Sequence, residues 1–96
     1  MAAENYSSVH LLVSGRVQGV GFRFFTINHA NRYGLTGWVK NLPNGSVEIL
    51  AEGSPEALSL FVERVQEGPS SARISDVQAD WQDIPAPRHR GFTISY

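Results

Sequence analysis

The chain has 96 residues, of which 42% are hydrophobic and 18% are charged, a composition typical of a single globular domain. Cysteine is absent, which excludes disulfides, thiolate metal sites and cysteine nucleophiles. The net charge of -1 lacks the basic excess expected of a nucleic-acid-binding protein, and no apolar run is long enough to span a bilayer. We therefore expect a cytoplasmic monomer with neither a nucleic-acid partner nor a membrane partner.

Charge is distributed unevenly along the chain. Residues 5–47 contain no acidic side chain but carry the cationic residues Arg16, Arg23, Arg32 and Lys40. From residue 48 to residue 83 acidic residues predominate. The first half is therefore expected to be locally electropositive and to attract a small anion, although a chance asymmetry in a small protein gives the same pattern.

The first half of the chain predicts a strand and a helix. Residues 1–6 are expected to be a flexible leader, and the alternation in residues 9–14 predicts a strand. Helical spacing over residues 22–33 predicts a helix, which Gly34 is expected to end. Its stripe contains Phe22, Phe25, Thr26, His29 and Tyr33, with Ala30 at the edge and Phe24 and Ile27 off the stripe.

The second half predicts a hairpin, a helix and two more strands. Residues 35–41 and 46–52 should pair as antiparallel strands through the turn at residues 42–45. Ser54, Pro55 and Glu56 are typical of a helix start, and Gly68-Pro69 of a helix end. The helix stripe contains Leu58, Phe61, Val62 and Val65. Strands are predicted over residues 74–81 and 92–96, joined by a connection over residues 84–91.

This order is β-α-β-β-α-β plus a short C-terminal strand, the split βαβ arrangement. It predicts an α+β fold in which two helices pack on one face of a mainly antiparallel sheet. Residues 7–96 are expected to form this single domain.

A glycine-rich loop connects the first strand to the first helix. Gly15, Gly19 and Gly21 lie within seven residues and let the backbone turn so that successive N–H groups converge. The loop leads into a helix N-terminus, which favours an anion, and Arg23 adds a planar guanidinium suited to phosphate. The pattern predicts an anion site. A tight connection without a ligand is the alternative, because the spacing matches neither a P-loop nor a Rossmann fingerprint.

The loop and the second strand together resemble the acylphosphatase family. The matching segments are residues 15–23, 34–41, 44–48, 52–53, 68–69 and 92–96, in the same order as in the family. The resemblance implies a ferredoxin-like α/β sandwich that hydrolyses the carboxyl–phosphate bond of small acyl phosphates without a metal or cofactor. Asn44 stands where the family usually has Asp, and Lys40 where Arg is also common.

The resemblance also implies residue roles. The Arg23 side chain and the loop amides would bind the phosphate, and the Asn41 side chain would position the attacking water. The amides are those of Arg16, Val17, Gln18, Gly19, Val20, Gly21 and Phe22, with Gly15 supporting the loop. The leaving carboxylate has a conjugate-acid pKa of about 4 to 5, so the reaction needs no general acid from the protein. The proton acceptor for the water stays open, and a phosphate oxygen of the substrate is one hypothesis.

The other polar candidates favour structural roles. The spacing of His10, His29 and His89 does not suggest a metal site, and His29 is expected at the edge of the core or on the surface. Glu48 and Glu52 are expected on a solvent face, with Lys40 or another cation opposite Glu48. Arg88-His89-Arg90 should be a solvated turn. The sequence does not decide whether Ser14, Trp38 or Lys40 tunes the site.

Two rival functions stay open alongside the hydrolase. An RNA-binding module of the same topology would stack bases on aromatic residues, which Phe22, Phe24 and Phe25 faintly suggest. An anion-sensing domain without turnover, or a detached domain of a larger carbamoyl-transfer protein, would keep the phosphate site. The physiological acyl group is also open: acetyl, carbamoyl and bisphosphoglycerate substrates share the same acyl-phosphate head.

Overall fold

Two α-helices pack on one face of a five-stranded sheet in the computed structural model, which describes residues 5–96. The predicted order of elements is confirmed, and the fold is a ferredoxin-like α/β sandwich. The elements are β1 (Tyr6–Arg16), α1 (Phe22–Arg32), β2 (Thr36–Asn41), β3 (Val47–Gly53), α2 (Pro55–Glu67), β4 (Arg73–Ile84) and β5 (Phe92–Ile94).

The strands lie in the spatial order β4-β1-β3-β2-β5. β1 pairs antiparallel with β3 and β4, and β2 pairs antiparallel with β3, whereas β5 runs parallel to β2. The prediction of a mainly antiparallel sheet is therefore confirmed. This topology brings the end of β1, where the glycine loop begins, beside the β2–β3 hairpin.

The core lies between the sheet and the helices. Alternate residues of the central strands are buried there, and α2 contributes three side chains of its predicted stripe, Leu58, Phe61 and Val65. The strand residues are Val9, Leu11, Val13, Val39, Val47, Ile49 and Ala51. Full burial of a large aliphatic or aromatic side chain contributes about 1.5–3 kcal/mol, so this layer holds the sandwich together.

The ends of both helices follow the predicted signals. The Ser54 hydroxyl accepts a hydrogen bond from the Ala57 N–H at 3.2 Å, which caps the N-terminus of α2. Gly34, with φ of 70°, ends α1, and the next N–H group, of Leu35, donates to the Ala30 carbonyl at 2.9 Å. Within the described residues, neither helix is long and apolar enough to cross a membrane.

The buried stripe of α1 is narrower than the sequence predicts. Phe22, Thr26 and Ala30 are buried, so Ala30 belongs to the centre of the stripe and not to its edge. The buried Thr26 hydroxyl donates to the Phe22 carbonyl at 2.9 Å. The aromatic residues Phe25, His29 and Tyr33 instead form a half-buried row beside the stripe. The small Thr26 and Ala30 side chains let the helix approach the sheet closely, which displaces the larger rings to the flank. Ile27, predicted off the stripe, packs against the core from its own side.

The neighbouring strands β1 and β4 are both longer than predicted. Tyr6, placed in the flexible leader by the sequence, is the first residue of β1 and pairs with Ile84. Residues 1–4 of that leader lie outside the described residues. β4 begins at Arg73 and continues to Ile84 instead of ending at Trp81, because an edge strand keeps its ladder hydrogen bonds without an apolar pattern.

The pairing of β1 with β4 shifts register between Ser14 and Gly15 but continues to Arg16. Gly15 and Arg16 are therefore the last residues of the strand and not the first residues of the loop. Gly15 has φ of 120°, and a Cβ atom there would lie 2.1 Å from the Arg73 carbonyl oxygen. A side chain at this position is therefore excluded by both the backbone conformation and the neighbouring strand.

Candidate active site

A cleft of about 170 Å³ opens where the glycine loop, the start of α1, the end of β2 and β5 meet. Its lining residues are Val17, Gly19, Gly21, Phe22, Arg23, Phe24, Asn41 and Ile94. The fold thus brings Arg23 and Asn41 into one cleft. Four residues of the predicted loop are not among the lining residues: Gly15, Arg16, Gln18 and Val20.

The loop presents the N-terminus of α1 to this cleft. Gly19 and Gly21 have φ of 73° and 79°, and Gly21 is the N-cap of the helix. The N-cap makes no side-chain hydrogen bond, and the first turn contains no acidic residue. The first N–H groups of α1 and the positive end of its dipole are therefore available for an anion.

Arg23 is the second residue of α1, and its guanidinium is free of carboxylates. Within residues 5–96 it forms no ion pair or hydrogen bond, and its contact is with the ring of Tyr96, whose centroid lies 6.0 Å from Cζ. An aromatic face leaves the N–H donors in the plane of the guanidinium unused. Those donors are suited to two oxygens of a phosphate.

Asn41 is the last residue of β2 and lies on the same face of the strand as the buried Val39. In the register of the sheet, Val47 pairs with Asn41 on one side and with Val13 on the other. Asn41 therefore lies across β3 from Val13, close to the point where β1 leads into the loop. Its Oδ1 atom is buried and has no hydrogen-bond partner within residues 5–96. An unmet buried acceptor costs about 1–3 kcal/mol, which indicates a donor that enters with a ligand or water.

Gln18 connects the loop to the hairpin that carries Asn41, a role that the sequence did not reveal. Its Nε2 donates to the carbonyls of Leu42 and Ser46 at 2.8 and 2.9 Å. One amide group has two N–H donors, and both are used here. These two bonds fix the glycine loop relative to the end of β2, so they set the spacing between this loop and Asn41. The Ser14 hydroxyl lies 3.4 Å from that of Ser46 and supports the same junction.

Trp38 and Lys40 lie on the face of the sheet opposite to the helices, away from the cleft lining. The Lys40 Nζ is 3.7 Å from Glu48 Oε1 and 5.7 Å from the centre of the Trp38 ring. His10 Nε2 lies 2.6 Å from the other Glu48 oxygen. The predicted pairing of Glu48 with Lys40 is confirmed, and the Glu48 carboxylate connects Lys40 and His10 on the open face of the sheet.

Glu52 is buried, so the prediction of a solvent-face carboxylate is wrong. Its Oε1 accepts hydrogen bonds from the backbone N–H groups of Arg88 and His89, each at 3.0 Å, and contacts His89 Nδ1 at 2.8 Å. Burial raises the pKa of Glu52, but the hydrogen bonds from His89 and Arg88 outweigh it and leave the pKa below its usual value. His89 is therefore a tether for the connection before β5 and not part of a freely solvated turn.

His29 does not contribute to the cleft. It lies between the rings of Phe25 and Tyr33, with centroid distances of 4.4 and 6.3 Å. Burial, and then the charges of Arg32 and Arg64, lower the pKa of His29. The prediction of a residue at the edge of the core is confirmed.

A second, larger cavity of about 370 Å³ lies at the opposite end of β1, around Tyr6, Pro55 and Asp83. It contains none of the predicted site residues. Within residues 5–96, no group of three or more His, Asp or Glu side chains is arranged to hold a metal ion.

Comparison with known proteins gives one consistent family. The family model described as Acylphosphatase matches residues 9–94. An acylphosphatase of Salinibacter ruber is 49% identical over 82 residues, which cover 85% of each chain. The crystal structure of an acylphosphatase from Bacillus subtilis superposes with a TM-score of 0.89 at 42% identity, covering 94% of this chain and 99% of the other. Full-length HypF, in its phosphate- and nucleotide-bound form, matches 99% of this chain at a TM-score of 0.82 and 26% identity, through 12% of its own length.

Proposed function

The chain belongs to the acylphosphatase family and is an acyl-phosphate hydrolase, and we propose how it works. Arg23 would hold the phosphate of the substrate, and a water oriented by Asn41 would attack the phosphorus directly. The observation that carries this proposal is the pairing, in one cleft, of an uncommitted guanidinium with a buried amide oxygen that lacks a donor. The first group suits the phosphate, and the second suits the water.

The phosphate would be bound by charge and by backbone N–H groups together. Arg23 would contribute two donors in one plane, and the N-terminal amides of α1, with those of Gly19 and Gly21, would contribute the others. Phosphoryl transfer places charge on the equatorial oxygens, so fixed donors around them stabilise the transition state. The remaining amides, from Arg16 through Phe22, belong to the same proposed loop, with Gly15 as its support.

The reaction requires little proton chemistry from the protein. The water oxygen forms a bond to phosphorus, the bond between phosphorus and the acyl oxygen breaks, and the carboxylate leaves with the electron pair. Because this leaving group is stable as an anion near neutral pH, no general acid is needed. The lining residues contain no carboxylate or histidine, so we assign the water's proton to a phosphate oxygen of the substrate. Asn41 would accept one water hydrogen and direct the oxygen lone pair at phosphorus.

The two rival functions receive less support from the geometry. The aromatic residues Phe22, Phe24 and Phe25 lie on α1, whereas a base-stacking module of this topology uses its central strands. A sensing domain without turnover would need the phosphate donors but not the unmet acceptor of Asn41.

We also propose that the enzyme acts as a cytoplasmic monomer, needs no metal or cofactor, has no nucleic-acid or membrane partner and is inhibited by its product, inorganic phosphate. Light scattering on the purified chain, and turnover in EDTA, test the monomer and the metal independence.

The test is hydrolysis of benzoyl phosphate, with inorganic phosphate as a competitive inhibitor. Arg23→Ala should abolish turnover and raise the inhibition constant for phosphate, and Arg23→Lys should restore only part of either, because it keeps the charge without the planar fork. Arg32→Ala is the matched control, since Arg32 is exposed at the other end of α1. Loss of phosphate inhibition in the Arg32 variant but not in the Arg23 variants would overturn the assignment.

A further inference from the structure

One exposed aromatic side chain, Phe24, lines the cleft, and a second, Tyr96, contacts the cleft residue Arg23. Phe24 lines the cleft and is 70% exposed. Tyr96 is 98% exposed, and its ring lies against the Arg23 guanidinium. An exposed aromatic side chain in the lining of a cleft is available to contact a ligand. The other exposed large hydrophobic residues in the described part of the chain, Leu60 and Trp81, lie on α2 and β4, outside the lining.

The cleft has a charged end and an apolar remainder. Among its lining residues in the described chain, Arg23 is the one charged side chain, and Val17, Phe22, Phe24 and Ile94 are apolar. Once Arg23 and the loop amides bind the phosphate, the lining offers no second cation to the rest of the substrate. It offers carbon surface from Phe24 and Ile94, because Val17 and Phe22 are each only 1% exposed.

The reaction geometry directs the acyl group toward this carbon surface. In phosphoryl transfer the attacking oxygen and the leaving oxygen lie on opposite sides of phosphorus. The water belongs at Asn41 Oδ1, which is buried. The acyl group therefore lies on the exposed side of the phosphate, where Phe24 and Tyr96 are the aromatic residues.

Resting on the proposed function, we propose that Phe24 and Tyr96 form an acyl-group subsite, and that the enzyme favours acyl phosphates with an aromatic or apolar acyl group. Phe24 follows Arg23 directly in α1, so the helix backbone fixes the residue that binds the phosphate relative to the residue that contacts the acyl group. Tyr96 would extend the subsite beyond the lining residues, because its ring centroid lies 6.0 Å from Arg23 Cζ.

The experiment compares kcat/KM for benzoyl phosphate and for acetyl phosphate in the wild type and in Phe24→Ala, Tyr96→Ala and Leu60→Ala. Dividing each variant's benzoyl-to-acetyl ratio by that of the wild type removes the intrinsic reactivity of the two substrates. Contacts between aromatic rings predict a fall in this ratio of about threefold to tenfold in Phe24→Ala and in Tyr96→Ala. Leu60→Ala removes an exposed side chain of α2 and should leave the ratio within twofold.

Inorganic phosphate separates an acyl subsite from a disturbed Arg23. Phosphate has no acyl group, so its inhibition constant should stay unchanged in Phe24→Ala. A ratio that stays within twofold in both variants, or an equal loss for both substrates together with weaker phosphate inhibition, would overturn the inference. If the wild type hydrolyses neither substrate, the proposed function itself fails. If it hydrolyses both and the ratio does not move, the acyl subsite alone fails.

Discussion

Removing the Gln18 side chain should weaken the fold and slow catalysis together. Its Nε2 holds the carbonyls of Leu42 and Ser46 at 2.8 and 2.9 Å, and Gln18→Ala leaves both carbonyls without this donor. Each hydrogen bond of this kind contributes about 0.5–1.5 kcal/mol, so the variant should lose about 1–3 kcal/mol of unfolding free energy. For a domain of this size that corresponds to a fall in Tm of roughly 5–20 °C.

The catalytic loss follows from the same two bonds. They join the loop that we propose binds the phosphate to the hairpin that carries Asn41, and a displacement of about 1 Å between reacting groups costs on the order of 100-fold in rate. We expect kcat/KM for benzoyl phosphate to fall by about 10- to 100-fold at a temperature where the variant is folded. Gln18→Glu keeps the size of the side chain but replaces both N–H donors with a carboxylate that can only accept, so it should lose at least as much as the alanine variant.

Urea unfolding and steady-state kinetics measure the two effects, with Gln66→Ala as the control. Gln66 is an exposed residue of α2, and its truncation should leave both quantities near the wild type. If Gln18→Ala unfolds within about 0.5 kcal/mol of the wild type and keeps kcat/KM within twofold, the two hydrogen bonds do not position the loop.

Three further predictions follow from other contacts. Because the folded pKa of Glu52 lies below its ordinary value, the ionised carboxylate stabilises the fold above the unfolded pKa of about 4.3, and this stabilisation is lost as the pH falls through the folded pKa. Glu52→Gln should therefore flatten the fall in unfolding free energy between about pH 5 and pH 3. Urea unfolding at several pH values measures this, and a pH dependence equal to that of the wild type would contradict the prediction. Gly15→Ala should cost about 2 kcal/mol or more, since its Cβ would meet the Arg73 carbonyl, whereas Gly91→Ala meets nothing within 4 Å; equal melting temperatures would remove the steric reason. Hydrolysis in ¹⁸O-labelled water should place the label in inorganic phosphate, and label in the carboxylate would show attack at the acyl carbon instead.

The order of elements was predictable because its signals are local. Ser54 and Pro55 mark a helix start, Gly34 marks a helix end, and the turn glycine Gly45 adopts the left-handed φ of 93° that the Asn-Gly pair predicts. Arg23 and Asn41 are predicted through a motif resemblance whose segments are each short and continuous in the sequence. The structure adds that they share a cleft.

The residues that the sequence did not reveal act over long separations. Gln18 bonds to groups 24 and 28 residues away, and Glu52 accepts hydrogen bonds from residues 36 and 37 positions later. No periodicity indicates such partners, because they meet only after the sheet has formed. The burial of Glu52 was missed for this reason: alternation along β3 placed it on the open face, but the connection before β5 covers it.

The central claim is the division of labour between Arg23, which binds the phosphate, and Asn41, which orients the water. It is tested most directly by measuring kcat for benzoyl phosphate and the inhibition constant for inorganic phosphate in Asn41→Ala. Loss of a single positioned group in the transition state costs on the order of 100- to 1,000-fold, so kcat should fall by that factor while the inhibition constant stays within about twofold. A variant that turns over like the wild type, or one that loses phosphate inhibition as completely as Arg23→Ala, would contradict the account.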